Sequence, residues 1–189
     1  MSPPHVRKNV SAIHAQLNRN KRSIALDLKK DGSKGIIYEL MKNHGYDIIV
    51  EGFRPGVMAR LGLGFDDLQK INPDLIYVSI TGFGQHGDYA KRAGHDINYL
   101  ALSGLSSYGE NGPSLHATQI ADIAGGSHHG VIGLLSAVIQ RQMVSVTSGD
   151  NTSGQHVDVS MADAAFGLNC MSAANALYSG NNPSPGSEV

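Results

Sequence analysis

Short apolar runs alternate with amphipathic segments along this 189-residue chain, and this alternation constrains the fold more than any other feature. Residues 75–81 (LIYVSIT) are apolar and β-branched, which predicts a strand. Residues 47–50 (DIIV) and 23–28 (SIALDL) predict two further strands. Apolar residues at helical spacing predict helices over residues 33–43, 55–62 and 65–71. Because strands separated by helices favour parallel βαβ units, the pattern predicts an α/β fold.

The second half of the chain continues this pattern with longer helices. Helices are predicted over residues 97–105, 122–146 and 161–178, with one strand over residues 156–159. The whole predicts a Rossmann-like, mostly parallel sheet with flanking helices in one domain, residues 17–178. Residues 1–16 and 179–189 are polar or turn-forming, and we expect them to be poorly ordered. A doubly wound sheet usually opens with a strand and helix that are not found before residue 23, so we expect a fragment of a longer protein.

Composition excludes several classes of protein. The chain has 15 Lys and Arg residues against 16 Asp and Glu residues, and this near-neutral balance gives no electrostatic footprint for nucleic acid or an anionic membrane. The single cysteine, Cys170, excludes an internal disulfide framework and a Cys-rich zinc module. No run reaches the roughly 18 apolar residues of a membrane span, and the first 16 residues lack a signal-peptide core. We therefore expect a soluble, cytoplasmic protein.

One stretch matches the dinucleotide fingerprint G-x-G-x-x-G, namely residues 82–87 (GFGQHG). It follows a predicted strand, as the fingerprint requires. However, no apolar helix opens at the third glycine, and no acidic residue stands at a strand end about 20 positions later. The stretch is therefore interpreted as a loop at the carboxyl end of a parallel strand, where ligands commonly bind.

Three candidate functional residues, His95, Asp96 and Asp122, stand at two predicted helix starts. Asp96 and Asp122 each precede an apolar helix, so either can be an N-cap with no further role. The functional alternative is that His95 is a general base, because histidine can accept and return a proton near neutral pH. Asp122, which lies beside small residues, is in the functional interpretation a nucleophile or a general acid/base, and the acid role requires that burial raise the pKa of its carboxyl.

A metal site is not predicted. His128 and His129 are adjacent, and adjacent helical side chains point about 100° apart, so the two imidazoles do not readily share one ion. Lys21, Arg22, Lys29, Arg54 and Arg60 are either solvated surface or charges that could meet phosphates.

Several motifs together resemble the family III CoA-transferases, also called the CaiB/BaiF family. They occur in the family's order and spacing over residues 17–175: residues 17–29 (LNRNKRSIALDLK), 51–57 (EGFRPGV), 60–64 (RLGLG), 72–77 (NPDLIY), 81–85 (TGFGQ) and 154–159 (GQHVDV). Within that family, residues 94–99 (GHDINY) look like the signature of the α-methylacyl-CoA racemase branch, because the transferases proper generally lack the histidine.

The resemblance implies a fold and a site. Family chains are about twice this length and form interlocked homodimers, so the fold here is expected to be incomplete. The implied catalytic pair is His95 and Asp122. The implied CoA-binding residues are Leu26, Asp27, Leu28, Lys29, Arg54, Gly94, Asp96, Ile97, Asn98 and Tyr99. The implied partner is an acyl-CoA thioester, with coenzyme A as part of the substrate and neither a separate cofactor nor a metal.

Three functions stay open at this point. The first is racemisation of a 2-methylacyl-CoA by proton transfer between His95 and Asp122 through an enolate, with amides of the helix start at Asp122 stabilising the enolate oxygen. The second is CoA transfer to a carboxylate, with Asp122 as the nucleophile. The third is an inactive, truncated domain that binds only CoA or a partner chain.

Overall fold

The computed structural model describes residues 5–7, 10–109, 111–148, 154–181 and 184. Its first elements are two short antiparallel strands, β1 (His5–Arg7) and β2 (Val10–Ser11), followed by helix α1 (Ala12–Leu17). The Ser11 hydroxyl caps α1 by accepting the His14 amide hydrogen at 3.1 Å. The prediction of a poorly ordered start over residues 1–16 therefore missed regular structure in the described part of that range. Residues 1–4 and most of the predicted C-terminal tail lie outside the described residues.

Three parallel strands form the central sheet in the order β3 (Ile48–Glu51), β4 (Ile76–Thr81) and β5 (Gln155–Ser160). The register aligns Val50 with Val78, and Val78 with Val157. The predicted parallel α/β fold is confirmed. The predicted strand over residues 23–28 is wrong, because that segment pairs with no described strand and Ile24 is 62% exposed.

Both faces of β4 are covered, which explains its continuous apolar sequence. On one face Tyr77 packs with side chains from helix α2 (Asp31–Asn43) and from the segment that carries helices α3 (Val57–Arg60) and α4 (Phe65–Leu68). On the other face Ile76 and Val78 pack against helix α6 (His129–Ser148). The central strand β4 is therefore buried between two helical layers, while β3 and β5 are more exposed.

The long helix predicted over residues 122–146 consists of two parts. A π-helical segment, Ala121–His128, leads without a break into α6. Small residues recur on the side that faces the sheet, and they are Gly126, Gly130, Gly133 and Ala137. A Cβ built on Gly133 would lie 2.7 Å from Val157 Cγ1, and one on Gly130 would lie 2.9 Å from Ile80 Cδ1. The helix therefore approaches β4 and β5 more closely than larger residues would allow.

The outer face of this helix is apolar and exposed, through Val131, Ile132, Leu135, Ile139, Met143 and Val146. By length and composition alone, the continuous stretch Ala121–Thr147 would suffice to cross a membrane, with 27 residues and a mean hydropathy of 1.2 over its most apolar window. One such helix is weak evidence of a membrane protein, although only 11% of that window is buried.

Three other helices complete the described chain and correct the predicted boundaries. Helix α5 is Asp96–Leu102 and is followed by a 3₁₀ turn, Leu105–Tyr108. The single helix predicted over residues 161–178 is two helices, α7 (Met161–Leu168) and α8 (Cys170–Ser179). The break is at Asn169, whose side-chain amide donates a hydrogen bond to the Ser103 carbonyl at 2.7 Å. The break therefore coincides with a tertiary contact, although the sequence pattern predicts one continuous helix.

Candidate active site

The start of α5 and the start of the π-helix face each other across a cavity of about 390 Å³. A loop over residues 114–119 forms its third side. The lining residues are His95, Asp96, Ile97, Leu100, Ser114, Leu115, His116, Thr118, Gln119 and Asp122. Both members of the predicted catalytic pair therefore lie in one cavity, although 26 residues separate them in sequence.

His95 is held by the geometry of a helix start. It is the N-cap residue of α5, with an extended backbone (φ −131°, ψ 171°), and its amide donates to Asn98 Oδ1 at 2.9 Å. This differs from the predicted N-cap, Asp96, which is instead the first residue of the helix. The extended cap conformation leaves His95 exposed at the mouth of the cavity rather than along the helix. The His95 side chain is therefore accessible to a ligand in the cavity.

Tyr99 occupies a recess between two glycines. A Cβ on Gly82 would clash with the Tyr99 hydroxyl, and one on Gly94 would lie 2.7 Å from Tyr99 Cε1. The ring also meets Phe83 edge-on, with centroids 5.2 Å apart. Burial raises the pKa of the Tyr99 hydroxyl, and the negative charges of Asp122 and then Asp96 raise it further. The two glycines therefore let the loop after β4 and the segment before α5 close around one side chain.

Asp122 is one of two half-buried carboxylates that line the cavity, and the other is Asp96. The amide of Asp122 donates a hydrogen bond to Asp96 Oδ1 at 2.9 Å. Burial raises the pKa of the Asp122 carboxyl above its ordinary value, the neighbouring Asp96 carboxylate raises it further, and His95 partly opposes them. A carboxyl with a raised pKa next to a histidine is an arrangement suited to proton transfer.

The helix start at residues 122–126 is predicted to supply amide donors to an enolate oxygen, and the structure bears on two of these amides, those of Asp122 and Ile123. They already have acceptors, since the Asp122 amide bonds Asp96 and the Ile123 amide bonds the Gln119 carbonyl at 2.9 Å. These two amides are therefore not available as free donors to a ligand.

The predicted CoA-binding residues do not all meet in one place. Gly94, Asn98 and Tyr99 flank the cavity, while Asp96 and Ile97 line it. Arg54 instead lines a larger cavity of about 690 Å³.

Residues 26–29 line neither of these two cavities. The Asp27 carboxylate accepts the Lys29 amide hydrogen within its own turn at 3.2 Å, and Leu28 packs against the core beside α2. Leu26 is partly buried. The assignment of Leu26, Asp27, Leu28 and Lys29 to CoA therefore stays a prediction.

Sequence reasoning missed the loop that closes the cavity. Ser114 and His116 lie on it, with their side chains 3.4 Å apart at Oγ and Nε2, and Gln119 follows them. These residues belong to no helix or strand, so no periodic pattern singled them out. A signal for this loop in the sequence is His116, which stands six residues before Asp122.

The remaining motifs have structural explanations. After the glycine stretch of residues 82–87, the next helix begins only at Asp96, so the helix that a dinucleotide fingerprint requires does not follow. Gly84 and Gly87 have positive φ angles of 76° and 89°, which fit turns. The His129 ring bonds the Ala124 carbonyl at 2.7 Å within its own helix.

Comparison with known proteins assigns the family. The sequence model of CoA-transferase family III matches residues 1–189. The chain belongs to CoA-transferase family III. It is 41% identical over 152 residues to the human α-methylacyl-CoA racemase, a match that covers 79% of this chain and 37% of the relative. It is 37% identical to the acetyl-CoA:oxalate CoA-transferase of Acetobacter aceti, with the same coverage of each chain.

A solved structure gives the same assignment for the fold. The crystal structure of a CaiB/BaiF family protein from Brucella suis superposes with a TM-score of 0.85 at 33% sequence identity. The match covers 97% of this family III chain and 48% of the other. The chain thus spans less than half the length of the relatives it matches.

Proposed function

We propose that this family III chain carries a site that removes and returns the α-proton of a 2-methylacyl-CoA, and so racemises it. The observation that carries the proposal is the cavity shared by His95 and Asp122, in which the carboxyl has a raised pKa. Further support comes from the 41% identity to a protein named α-methylacyl-CoA racemase.

The two residues take complementary roles in this reaction. In one direction His95 accepts the α-proton on one face of the substrate, and the electron pair of the C–H bond moves into the thioester carbonyl to give an enolate. Protonated Asp122 then donates its proton to the α-carbon on the other face, and the enolate electrons form the new C–H bond. In the reverse direction the roles exchange, with Asp122 as the base and His95 as the acid.

The electrostatics of Asp122 fit this exchange. An ordinary aspartate is almost fully ionised at neutral pH and holds too little proton to serve as an acid. Because burial and Asp96 raise the pKa of Asp122, a larger fraction of its carboxyl keeps the proton. The opposing effect of His95 couples the two groups, since a charged imidazole favours the ionised carboxylate. A carboxyl with a raised pKa in the same cavity as a histidine therefore supports the exchange of a proton through the substrate.

The second candidate is CoA transfer between an acyl-CoA and a carboxylate. The relatives named as transferases favour it, among them the Acetobacter aceti protein and an acyl-CoA transferase of Fusarium pseudograminearum at 40% identity. Here ionised Asp122 attacks the thioester carbonyl, CoA leaves as its thiolate, and a mixed anhydride forms. The thiolate then attacks the anhydride at the Asp122 carbonyl, which releases the original acyl carboxylate and leaves an aspartyl-CoA thioester. The acceptor carboxylate then attacks this thioester, and CoA passes to the acceptor as the Asp122 carboxylate is regenerated. His95 has no chemical role in this sequence.

Mass spectrometry of the thioester pool separates the two candidates. The chain is incubated in D₂O with a 2-methylacyl-CoA and an unrelated carboxylate. We expect one deuterium at the α-carbon with inversion of its configuration, and loss of this inverted, deuterated product in both His95→Ala and Asp122→Ala. His128→Ala is the matched control, because this exposed histidine lies on the same helical stretch but outside the cavity, and it should leave exchange unchanged.

Other outcomes decide against racemisation. A new acyl-CoA without deuterium, formed by His95→Ala but not by Asp122→Ala, establishes CoA transfer instead. A thioester pool that is unchanged by the native chain refutes both activities for this chain and favours a domain that only binds.

A further inference from the structure

A hydrogen bond joins the two sides of the cavity through a residue that neither reaction employs. Asp96 Oδ1 accepts the amide hydrogen of Asp122 at 2.9 Å, and both residues are partly buried. Asp96 directly follows His95 in the chain. The backbone of one member of the catalytic pair is therefore tied to the immediate neighbour of the other.

The amide of Asp122 needs such a partner for a general reason. The first four amides of a helix have no acceptor within that helix, and a half-buried amide without an acceptor is destabilising. Ile123 finds its acceptor one turn back at the Gln119 carbonyl, but the acceptor for Asp122 comes from another element, α5. Because the acceptor is charged, this hydrogen bond is stronger than one between neutral groups.

The Asp96 carboxylate therefore adds a directional restraint on Asp122 to the packing of its neighbour Ala121, which is buried against α5 and α7. Proton transfer is sensitive to displacements of about 1 Å between the reacting groups. The loop over residues 114–119, which leads into the π-helix, is largely exposed and supplies little packing to fix the start of that helix.

We propose that Asp96 is a positioning residue, whose carboxylate holds the start of the π-helix so that Asp122 stays at a fixed distance from His95. The proposal rests on the proposed function insofar as Asp122 reacts with the substrate. It assigns the Asp96 carboxylate to the protein's own backbone, rather than to the CoA-binding role that the family resemblance implies.

The charge of Asp96 adds a second effect that can be measured separately. It raises the pKa of Asp122, after burial, whereas His95 lowers it. The other titratable groups at the cavity are Tyr99 of α5 and His116 of the loop. Helix α7 also packs on the π-helix, but its Asp163 lines a different cavity with His129.

Two substitutions separate position from charge. Asp96→Asn keeps an oxygen that can accept the Asp122 amide hydrogen but removes the negative charge. Asp96→Ala removes both. Asp88→Asn is the control, because this exposed aspartate lies in the loop after β4 and lines neither the cavity nor the larger one near Arg54.

Two measurements on the 189-residue chain need no catalytic activity. Amide hydrogen exchange followed by NMR should show the Asp122 amide exchanging tenfold faster or more in Asp96→Ala, and close to native in Asp96→Asn. Titration of the ¹³C-labelled Asp122 carboxyl should give a lower pKa in Asp96→Asn than in the native chain and in Asp88→Asn.

A third measurement follows α-proton exchange in D₂O. We expect kcat to fall tenfold or more in Asp96→Ala with little change in KM, and partial recovery of kcat in Asp96→Asn, because that variant restores the acceptor. A merely structural role would not lower kcat with KM unchanged and restore it in Asp96→Asn.

The proposal is overturned if Asp96→Ala leaves the exchange of the Asp122 amide unchanged, or if Asp96→Asn leaves the pKa of Asp122 unchanged. Should Asp96→Ala fail to fold, the titration of Asp96→Asn still decides. Failure of the proposed function looks different. In that case the native chain exchanges no α-proton, while the two NMR measurements support or overturn the role of Asp96 on their own.

Discussion

Replacing Gly133 by alanine tests the close approach of α6 to the sheet, because the substitution has two opposing effects. Glycine in a helix interior costs about 0.8–1 kcal/mol relative to alanine, so the change should stabilise the helix by that amount. The new methyl group, however, would lie 2.7 Å from Val157 Cγ1. Overpacking of this kind costs about 1–3 kcal/mol. The net expectation is a destabilisation of about 0–2 kcal/mol.

A matched control removes the uncertainty in helix propensity. Gly35 lies inside α2, is exposed, and has nothing within 4 Å of a Cβ built on it. Gly35→Ala should therefore stabilise the chain by about 0.5–1 kcal/mol. The gap between the two variants measures the steric cost alone, which we expect to be about 1–3 kcal/mol.

The assay is urea unfolding monitored by circular dichroism, with the free energy of unfolding compared at unchanged m-value. A Val157→Ala substitution removes the clashing methyl groups. In the double variant the cost of Gly133→Ala should largely disappear, with a coupling energy of about 0.5–3 kcal/mol. If Gly133→Ala stabilises the chain as much as Gly35→Ala does, then α6 does not contact β5 in the way described.

Two further predictions concern the ion pair between Arg141 and Asp47 and the buried side chain of Tyr99. Arg141 lies 2.8 Å from the Asp47 carboxylate and donates to the Asp74 carbonyl at 2.8 Å, so Arg141→Met should lower the free energy of urea unfolding by about 1.5–3 kcal/mol. A loss under about 0.5 kcal/mol would contradict a structural role beyond a surface ion pair. The pKa of Tyr99 is raised by burial, Asp122 and Asp96, so the unfolded chain loses this proton first as pH rises past about 10. The contribution of Tyr99 to the free energy of unfolding is therefore complete below that pH and is lost as pH rises through the pKa of Tyr99 in the folded chain. In Tyr99→Phe the free energy of unfolding should fall less steeply at alkaline pH. An equally steep fall in the native chain and in Tyr99→Phe would refute the argument.

The elements that the sequence predicted best are those whose pattern is set by burial. The run in β4 is continuously apolar because both of its faces are covered, and the predicted strand differs from the observed one by a single residue. The segment 23–28 has a similar pattern and forms no strand. A strand needs a neighbour, and local sequence carries no information about which neighbours are present.

The candidate site could be predicted only in part, for a related reason. His95 and Asp122 stand at helix starts, where polar residues interrupt apolar periodicity, so the sequence marked both. The hydrogen bond from Asp122 to Asp96 joins residues from two elements, and no spacing rule reveals it. The loop with Ser114 and His116 has no periodicity at all. Its contribution to the cavity is visible only in three dimensions.

The π-helical segment Ala121–His128 fixes the angle, measured about the helix axis, between the direction of Asp122 and that of the glycines of α6. Each residue of an α-helix turns the chain by about 100°, whereas the wider π-helix closes its hydrogen bonds one residue later. Deleting a single residue from this segment would keep α6 seated on the sheet but turn the Asp122 carboxylate to a different direction about the helix axis. A change of length that a surface loop would absorb would therefore displace Asp122 here, although the segment carries few large side chains.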